Sequence, residues 1–216
     1  MNENEIIYQI GLPEQLRSSA VSLYDEAFGE KFSVAVRSDK NRQLLLKKCF
    51  MPKYAIVALS KDELVGIAGF HTQNGSFTSG ITYAGLLSQL GFIKGNWAAL
   101  IFSLYERKPA SGELVMDGIA VRPDVRGKGI GSRLLEEIAN YAEGHEFDRI
   151  RLDVIDTNTK AKKLYEHKGF KPVNTEHFPY LRWLLKFGGS TTMELNLKKP
   201  NTTSLLEQKN STRSTN

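Results

Sequence analysis

The segment Arg126-Gly127-Lys128-Gly129-Ile130-Gly131 has the residue types and spacing best suited to chemistry in this 216-residue chain. Its glycines let backbone N–H groups approach a ligand with no Cβ in the way. Arg126 and Lys128 add full positive charge, and the segment opens into a helix whose first turn supplies unpaired donors and a partial positive charge. Such an arrangement is an anion site suited to phosphates. Spacing excludes two common phosphate loops. A nucleotide P-loop needs glycine where Arg122 stands, and Ser or Thr where Gly129 stands. The dinucleotide fingerprint G-x-G-x-x-G needs a longer step between Gly129 and Gly131. Taken alone, the segment also reads as a tight turn before a capped helix, with no ligand.

The elements that must position this loop follow from hydrophobic periodicity. A strand over Glu113–Val121 leads in, and Arg122, Pro123, Asp124 and Val125 turn the chain. A helix over 132–144 leads out, with Leu134, Leu135, Ile138 and Ala142 on one face. A strand at 150–155 follows, then a short helix at 159–168 stopped by Gly169, a residue suited to a left-handed C-cap. Upstream, the pattern predicts a strand at 6–10, helices at 16–28 and 34–48, and a hairpin of 54–59 with 64–70. Two apolar helical pieces, 84–92 and 97–105, form an insertion over about 76–110. Strands at 171–178 and 191–197 close the domain around an apolar stretch at 180–187. The domain spans 1–199, and 200–216 is a polar tail with too little to bury for folding.

The loop and its flanks resemble motif A of the GNAT superfamily of acetyl-CoA-dependent N-acetyltransferases, written Arg/Gln-x-x-Gly-x-Gly/Ala between a strand and a helix. Arg126, Gly129 and Gly131 occupy its defining positions. Asn158, Ala161, Leu164, Tyr165 and the Gly169-Phe170 pair resemble the superfamily's next motif, at the natural separation. The resemblance implies an α/β fold: a single GNAT-like domain with a mixed central sheet of about six or seven strands flanked by helices. The sheet would splay between the fourth and fifth strands, Glu113–Val121 being the fourth. Acetyl-CoA is the implied cosubstrate, its pyrophosphate held by backbone N–H groups of Arg126, Gly127, Lys128, Gly129, Ile130 and Gly131. The pantetheine arm would pair, by strand addition, with main-chain groups of Ile119 and Val121. Asn158 would cap its helix or bond the pantetheine. A bulge near Asp117-Gly118 would help to open the strand edge; Gly118 otherwise serves core packing.

Acetylating an amine calls for a base, because a free alkylamine has a pKa near ~10 and is mostly protonated at neutral pH. Glu113 and Asp117 lie four apart on one strand, hence on one face. Glu113 matches in spacing a glutamate that acts as base in some superfamily members, and is otherwise a surface residue at a strand edge. Asp117 would sit closer to the thioester. It is favoured, since an acid inside the apolar run 115–121 is costly unless paired or functional. The N–H of Ile119 would hold the oxyanion. Tyr165 occupies the position of the tyrosine that protonates the leaving thiolate, against a plainer role in packing beside Leu164.

The acceptor is the least determined part. A small-molecule or amino-acid-like amine is the first expectation, and a protein lysine or N-terminus the second. A non-catalytic acyl-CoA sensor or scaffold would need neither the strand carboxylates nor Tyr165. The aromatic residues of the insertion suit a pocket wall or a homodimer interface. The formal charge of +5 sits largely in the tail, where Lys198, Lys199, Lys209 and Arg213 oppose only Glu207 and no aromatic residue is present for stacking bases, so no nucleic-acid partner is expected. Cys49 is the single cysteine, so no internal disulfide forms. No Cys/His cluster has metal-ligand spacing. The acidic N-terminus is unlike a signal peptide, and the most apolar stretch, 81–104, is too interrupted to span a membrane. The expectation is a cytoplasmic acyltransferase with no membrane partner.

Overall fold

The computed structural model describes residues 6–105, 108–185 and 187–197; the tail expected at 200–216 lies outside the described residues. Among these, eight strands form one mixed sheet: β1 (Ile6–Ile10), β2 (Ala55–Ser60), β3 (Glu63–Thr72), β4 (Gly75–Ser76), β5 (Glu113–Val121), β6 (Arg149–Ile155), β7 (Lys171–His177) and β8 (Gly189–Asn196). The helices are α1 (Arg17–Ser33), α2 (Asp39–Cys49), α3 (Tyr83–Leu90), α4 (Phe92–Tyr105), α5 (Ile130–Gly144), α6 (Thr159–His167) and α7 (Arg182–Leu185). Strand order is β1-β2-β3-β5-β6-β8-β7, with the two-residue β4 paired to the end of β3. The strands counted fourth and fifth from the sequence are therefore β5 and β6.

Neighbouring strands run antiparallel except β5 and β6. Those two are joined through α5, and a helical crossover is what lets consecutive strands run parallel. Their pairing is short: Glu113 with Arg149, Leu114 with Ile150, and Val115 with Arg151. Beyond Val115 the strands part, and the rest of β5 keeps only β3 beside it. The expected splay is this opening.

Helix α5 covers one face of the sheet. Its buried Ile130, Leu134, Leu135, Ile138 and Ala142 recur every three to four residues and pack on β2, β3 and β5. Gly66 lies directly beneath, where a Cβ would stand 2.9 Å from Leu134 Cδ1. Helix α1 packs on the other face, against β3 and β5. A Cβ on Gly118 of β5 would come within 2.6 Å of the Phe28 ring of α1. That contact gives Gly118 a packing role alongside its backbone one.

Helix α2 begins at Asp39 rather than at residue 34, because Ser38 caps it by accepting from the Asn41 N–H. Asp25 and Arg42 join α1 to α2 through a buried bidentate ion pair. The insertion forms a helical hairpin. Helix α4 starts at Phe92, five residues before the expected 97, since Gly91 ends α3 at a positive φ (80°) that breaks the helical path, and the next helix begins at once. Leu86 of α3 and Ala98 and Ile101 of α4 close a second apolar cluster with Ala35, Val36, Leu45 and Cys49. Burial there pushes the Cys49 thiol up to about 12, leaving it an inert core residue.

Candidate functional site

The glycine-rich loop is held from both ends. The Arg122 N–H donates to Val65 O of β3 (3.0 Å), and its guanidinium reaches Asp124 (2.7 Å) and Glu63 (3.0 Å). Arg126 lies back across the end of β5, with Nε donating to Val121 O (2.9 Å) and Nη2 3.6 Å from Glu26 of α1. Gly127 and Gly129 both adopt φ +80°, and a Cβ on either would meet nothing within 4 Å. Both glycines therefore face open space, and it is their positive φ rather than protein packing that calls for glycine. Gly129 is the N-cap of α5 and supplies no side-chain cap. The first intrahelical bond is Arg133 N–H to Gly129 O, so the N–H groups of Ile130, Gly131 and Ser132 point out of the helix start. Ile130 turns its side chain into the core and offers the loop only its N–H. Lys128 is exposed.

The open edge of β5 runs up to this loop. Because Arg122 bonds back to β3, alternation along an antiparallel pair turns Ala120 towards β3 as well. Ile119 and Val121 therefore present their N–H and C=O groups to the opening, though one lone pair of Val121 O is taken by Arg126. The register with β3 jumps from Phe70–Met116 to Gly69–Gly118, which leaves Asp117 as the extra residue of a bulge. Its Oδ2 is buried with no hydrogen-bond partner among the described residues. Burial pushes the Asp117 carboxyl up to about 7, while the charge of Lys31 and the backbone N–H of Phe77 pull the other way. Tyr24 packs nearby among Phe28, Phe50 and Phe77. Burial, and then the negative charge of Asp117, hold its phenol well above the ordinary range.

The other strand carboxylate has a different environment. Glu113 is 1% exposed. It meets Arg149 at 3.0 Å and Arg151 at 3.3 Å, and accepts from the Ala110 N–H at 3.0 Å. Both its oxygens are spent on structure, at the closed end of the β5–β6 pair rather than in the opening. This differs from the strand-edge surface position that is the plainer alternative to a base role for it; Arg149 and Arg151, which bury and hold it, come from β6. Helix α6 packs on β6, across the opening from β5. Tyr165 of α6 is buried against Phe170, and desolvation raises its phenol to about 12. Asn158 caps α6, its Oδ1 accepting from the Ala161 N–H at 3.1 Å. Lys31, Tyr24 and Phe77 surround Asp117, and Arg149 and Arg151 surround Glu113, without any motif to announce them.

A profile described as "Acetyltransferase (GNAT) family" matches residues 18–170, spanning α1, the glycine loop and α6. The chain belongs to the GNAT acetyltransferase family. This GNAT chain is 36% identical over 77 residues to the mycothiol acetyltransferase of Beutenbergia cavernae, a stretch covering 35% of this chain and 25% of that one. It is 38% identical over 56 residues to the thialysine N-epsilon-acetyltransferase of Sus scrofa, covering 26% of this chain and 33% of that enzyme. The matched stretches therefore span a third or less of these curated relatives. Solved structures extend the likeness of fold over the whole GNAT domain. An N-acetyltransferase from Staphylococcus aureus Mu50 covers 90% of this chain and 99% of its own (TM-score 0.57, 14% identity). The ribosomal-protein-S18-alanine N-acetyltransferase from Escherichia coli covers 91% and 98% (TM-score 0.53, 16% identity). Among the described residues no helix is long and apolar enough to cross a membrane.

Proposed function

We propose that this GNAT protein moves an acetyl group from acetyl-CoA to a primary amine by direct attack in a ternary complex, the acceptor being a small molecule. The observation that carries this is β5: one strand presents the open main-chain edge and, at its bulge, a carboxylate with an unpartnered oxygen. The loop fits the cosubstrate, because two open φ +80° glycines and an uncapped helix start form a cradle for a pyrophosphate. Backbone N–H groups from Arg126 to Gly131 hold that group, and Ile119 and Val121 pair with the pantetheine amides. Acetyl-CoA supplies the electrophilic thioester. With a pKa of about 7, Asp117 is poised to accept the amine proton at neutral pH, the condition under which a general base works best. The Ile119 N–H stabilises negative charge developing on the carbonyl oxygen. Tyr165, pushed up to about 12, stays protonated, hydrogen-bonds the departing sulfur and gives its proton to the thiolate, the phenolate being reprotonated from solvent. Glu113 holds β6 against β5.

The two relatives carry small molecules in their names, mycothiol and thialysine, which supports a small acceptor. Ile93, Trp97, Leu100 and Leu104 form an exposed stripe along α4, which supports a homodimer through the insertion. The test is acetyl-CoA binding by calorimetry together with thiol release across a panel of amines, comparing the native chain with Gly129→Glu. Binding lost in the variant, with amine-dependent turnover in the native chain, is the expected result. Binding without turnover on any amine would favour an acyl-CoA sensor, and no binding at all would overturn the cradle.

A further inference from the structure

A second charged group beside the opening has no part in the acetyl transfer above. Arg151 is the register partner of Val115, the last β5 residue before the strands part. Its side chain is 19% exposed, and its Nη1 meets Glu113 at 3.3 Å. The other edge of the guanidinium, Nε with Nη2, is buried and has no hydrogen-bond partner among the described residues. Neither nearby carboxylate pairs with that edge. Glu113 is shared with Arg149 and the Ala110 N–H. Glu194, across from Arg151 on β8, has an oxygen 3.9 Å from Arg149 Nε. A guanidinium edge offers two parallel N–H groups, the match for the two oxygens of a carboxylate, and leaving it buried and unpaired is unfavourable.

The second observation is the orphan of opposite sign. Asp117 Oδ2 is also buried and unpartnered. Asp117 lies two residues beyond Val115, so alternation puts it on the same face as Val115 and its partner Arg151. Strand rise and spacing set the Asp117 and Arg151 backbone positions roughly 8 Å apart, with both side chains on that face. An unpaired acidic oxygen and an unpaired cationic fork, on one face of neighbouring strands where β5 and β6 part, complement a molecule carrying an amine and a carboxylate a few bonds apart.

We infer that the acceptor is an amino acid, bound with its carboxylate on the Nε/Nη2 edge of Arg151 and its amine at Asp117, an assignment that rests on the acetyl-transfer reading above. Arg151 is then the residue that sets specificity, because it touches the part of the acceptor that does not react. An amine without a carboxylate leaves the fork unpaired and is the poorer substrate.

The test compares amino acids with their decarboxylated counterparts: L-lysine with cadaverine, L-leucine with 3-methylbutylamine, and L-phenylalanine with phenethylamine. Each is assayed for acetyl-CoA-dependent thiol release and, separately, for binding by calorimetry. The native chain is compared with Arg151→Lys, which keeps the charge near Glu113 but loses the fork, and with Arg151→Met. In at least one pair, kcat/KM for the acid should exceed that for the amine by roughly 10-fold or more, the scale of a charge-assisted pair of hydrogen bonds. Arg151→Lys should abolish most of that ratio by raising KM for the acid, with acetyl-CoA affinity retained in calorimetry. Equal use of both members of every pair, or an equal loss for both in Arg151→Lys, overturns the inference. If nothing turns over, the acetyl-transfer reading fails instead. Calorimetry still reads the fork in that case, and acid binding that Arg151→Lys does not weaken, or no acid binding at all, overturns it.

Discussion

Replacing Asp117 with Asn removes a charge from the bulge while keeping the shape of the side chain. The carboxyl moves from an ordinary value near ~3.9 in the unfolded chain to about 7 in the fold. Below pH ~4 both states hold the proton, and the group contributes nothing to the pH dependence of stability. Between pH 4 and 7 the unfolded chain releases the proton while the folded chain retains it, so stability falls as pH rises. Above pH 7 the loss levels off. About three pH units at 1.36 kcal/mol each give an upper value of about 4 kcal/mol. Asp117→Asn should therefore match the native protein in urea unfolding at pH 4 and exceed it by a few kcal/mol at pH 8. The same substitution should lower kcat by about 10²–10⁴-fold and remove the rise in rate with a midpoint near pH 7. If the variant keeps that midpoint, another group is the base. If the difference in stability between pH 4 and pH 8 is the same in both proteins, the Asp117 carboxyl is not shifted and the desolvation reasoning fails.

Glu113→Gln should act on stability rather than chemistry. It breaks a buried cluster with Arg149 and Arg151, a loss of about 3–5 kcal/mol, visible as a drop in Tm with acetyl-CoA affinity retained; a variant with native Tm and lost turnover would make Glu113 the base. Tyr165→Phe should lower kcat by about 10²-fold at unchanged KM for acetyl-CoA. With the phenol at about 12, the native rate should show no alkaline fall attributable to Tyr165 below about pH 11; native kcat in the variant would reduce Tyr165 to packing. Leu100→Glu, on the exposed stripe of α4, should convert a dimer to a monomer in sedimentation; a native chain that is monomeric at tens of micromolar would refute the homodimer.

Local pattern carried much of the molecule. The segment from Arg126 to Gly131 announces its own turn, because φ +80° at Gly127 and Gly129 is a demand that glycine meets. The apolar face of α5 follows from a 3.6-residue period, and α6 from its Asn158 cap and terminal Gly169. These features depend on residues within about one helical turn of each other, so they are visible without knowing what lies across the sheet. Boundaries were less legible where a single capping residue overrode the pattern, as Ser38 does for α2 and Gly91 for the step into α4.

By itself the sequence determined the α/β class, the loop, and a short set of residues able to do amine chemistry. It favoured Asp117 over Glu113 only through the cost of an acid inside an apolar run, since both are acids on one strand at one parity. Tertiary structure gives them different surroundings. Arg149 and Arg151 arrive from β6, after the α5 crossover, and satisfy Glu113. The bulge against β3 places Asp117 beside α1, where burial outweighs the pull of Lys31. The same long-range pairing decides where β5 and β6 part, and hence which main-chain groups are left open. Ionisation and pairing depend on which distant segments share a site, and no local pattern carries that information.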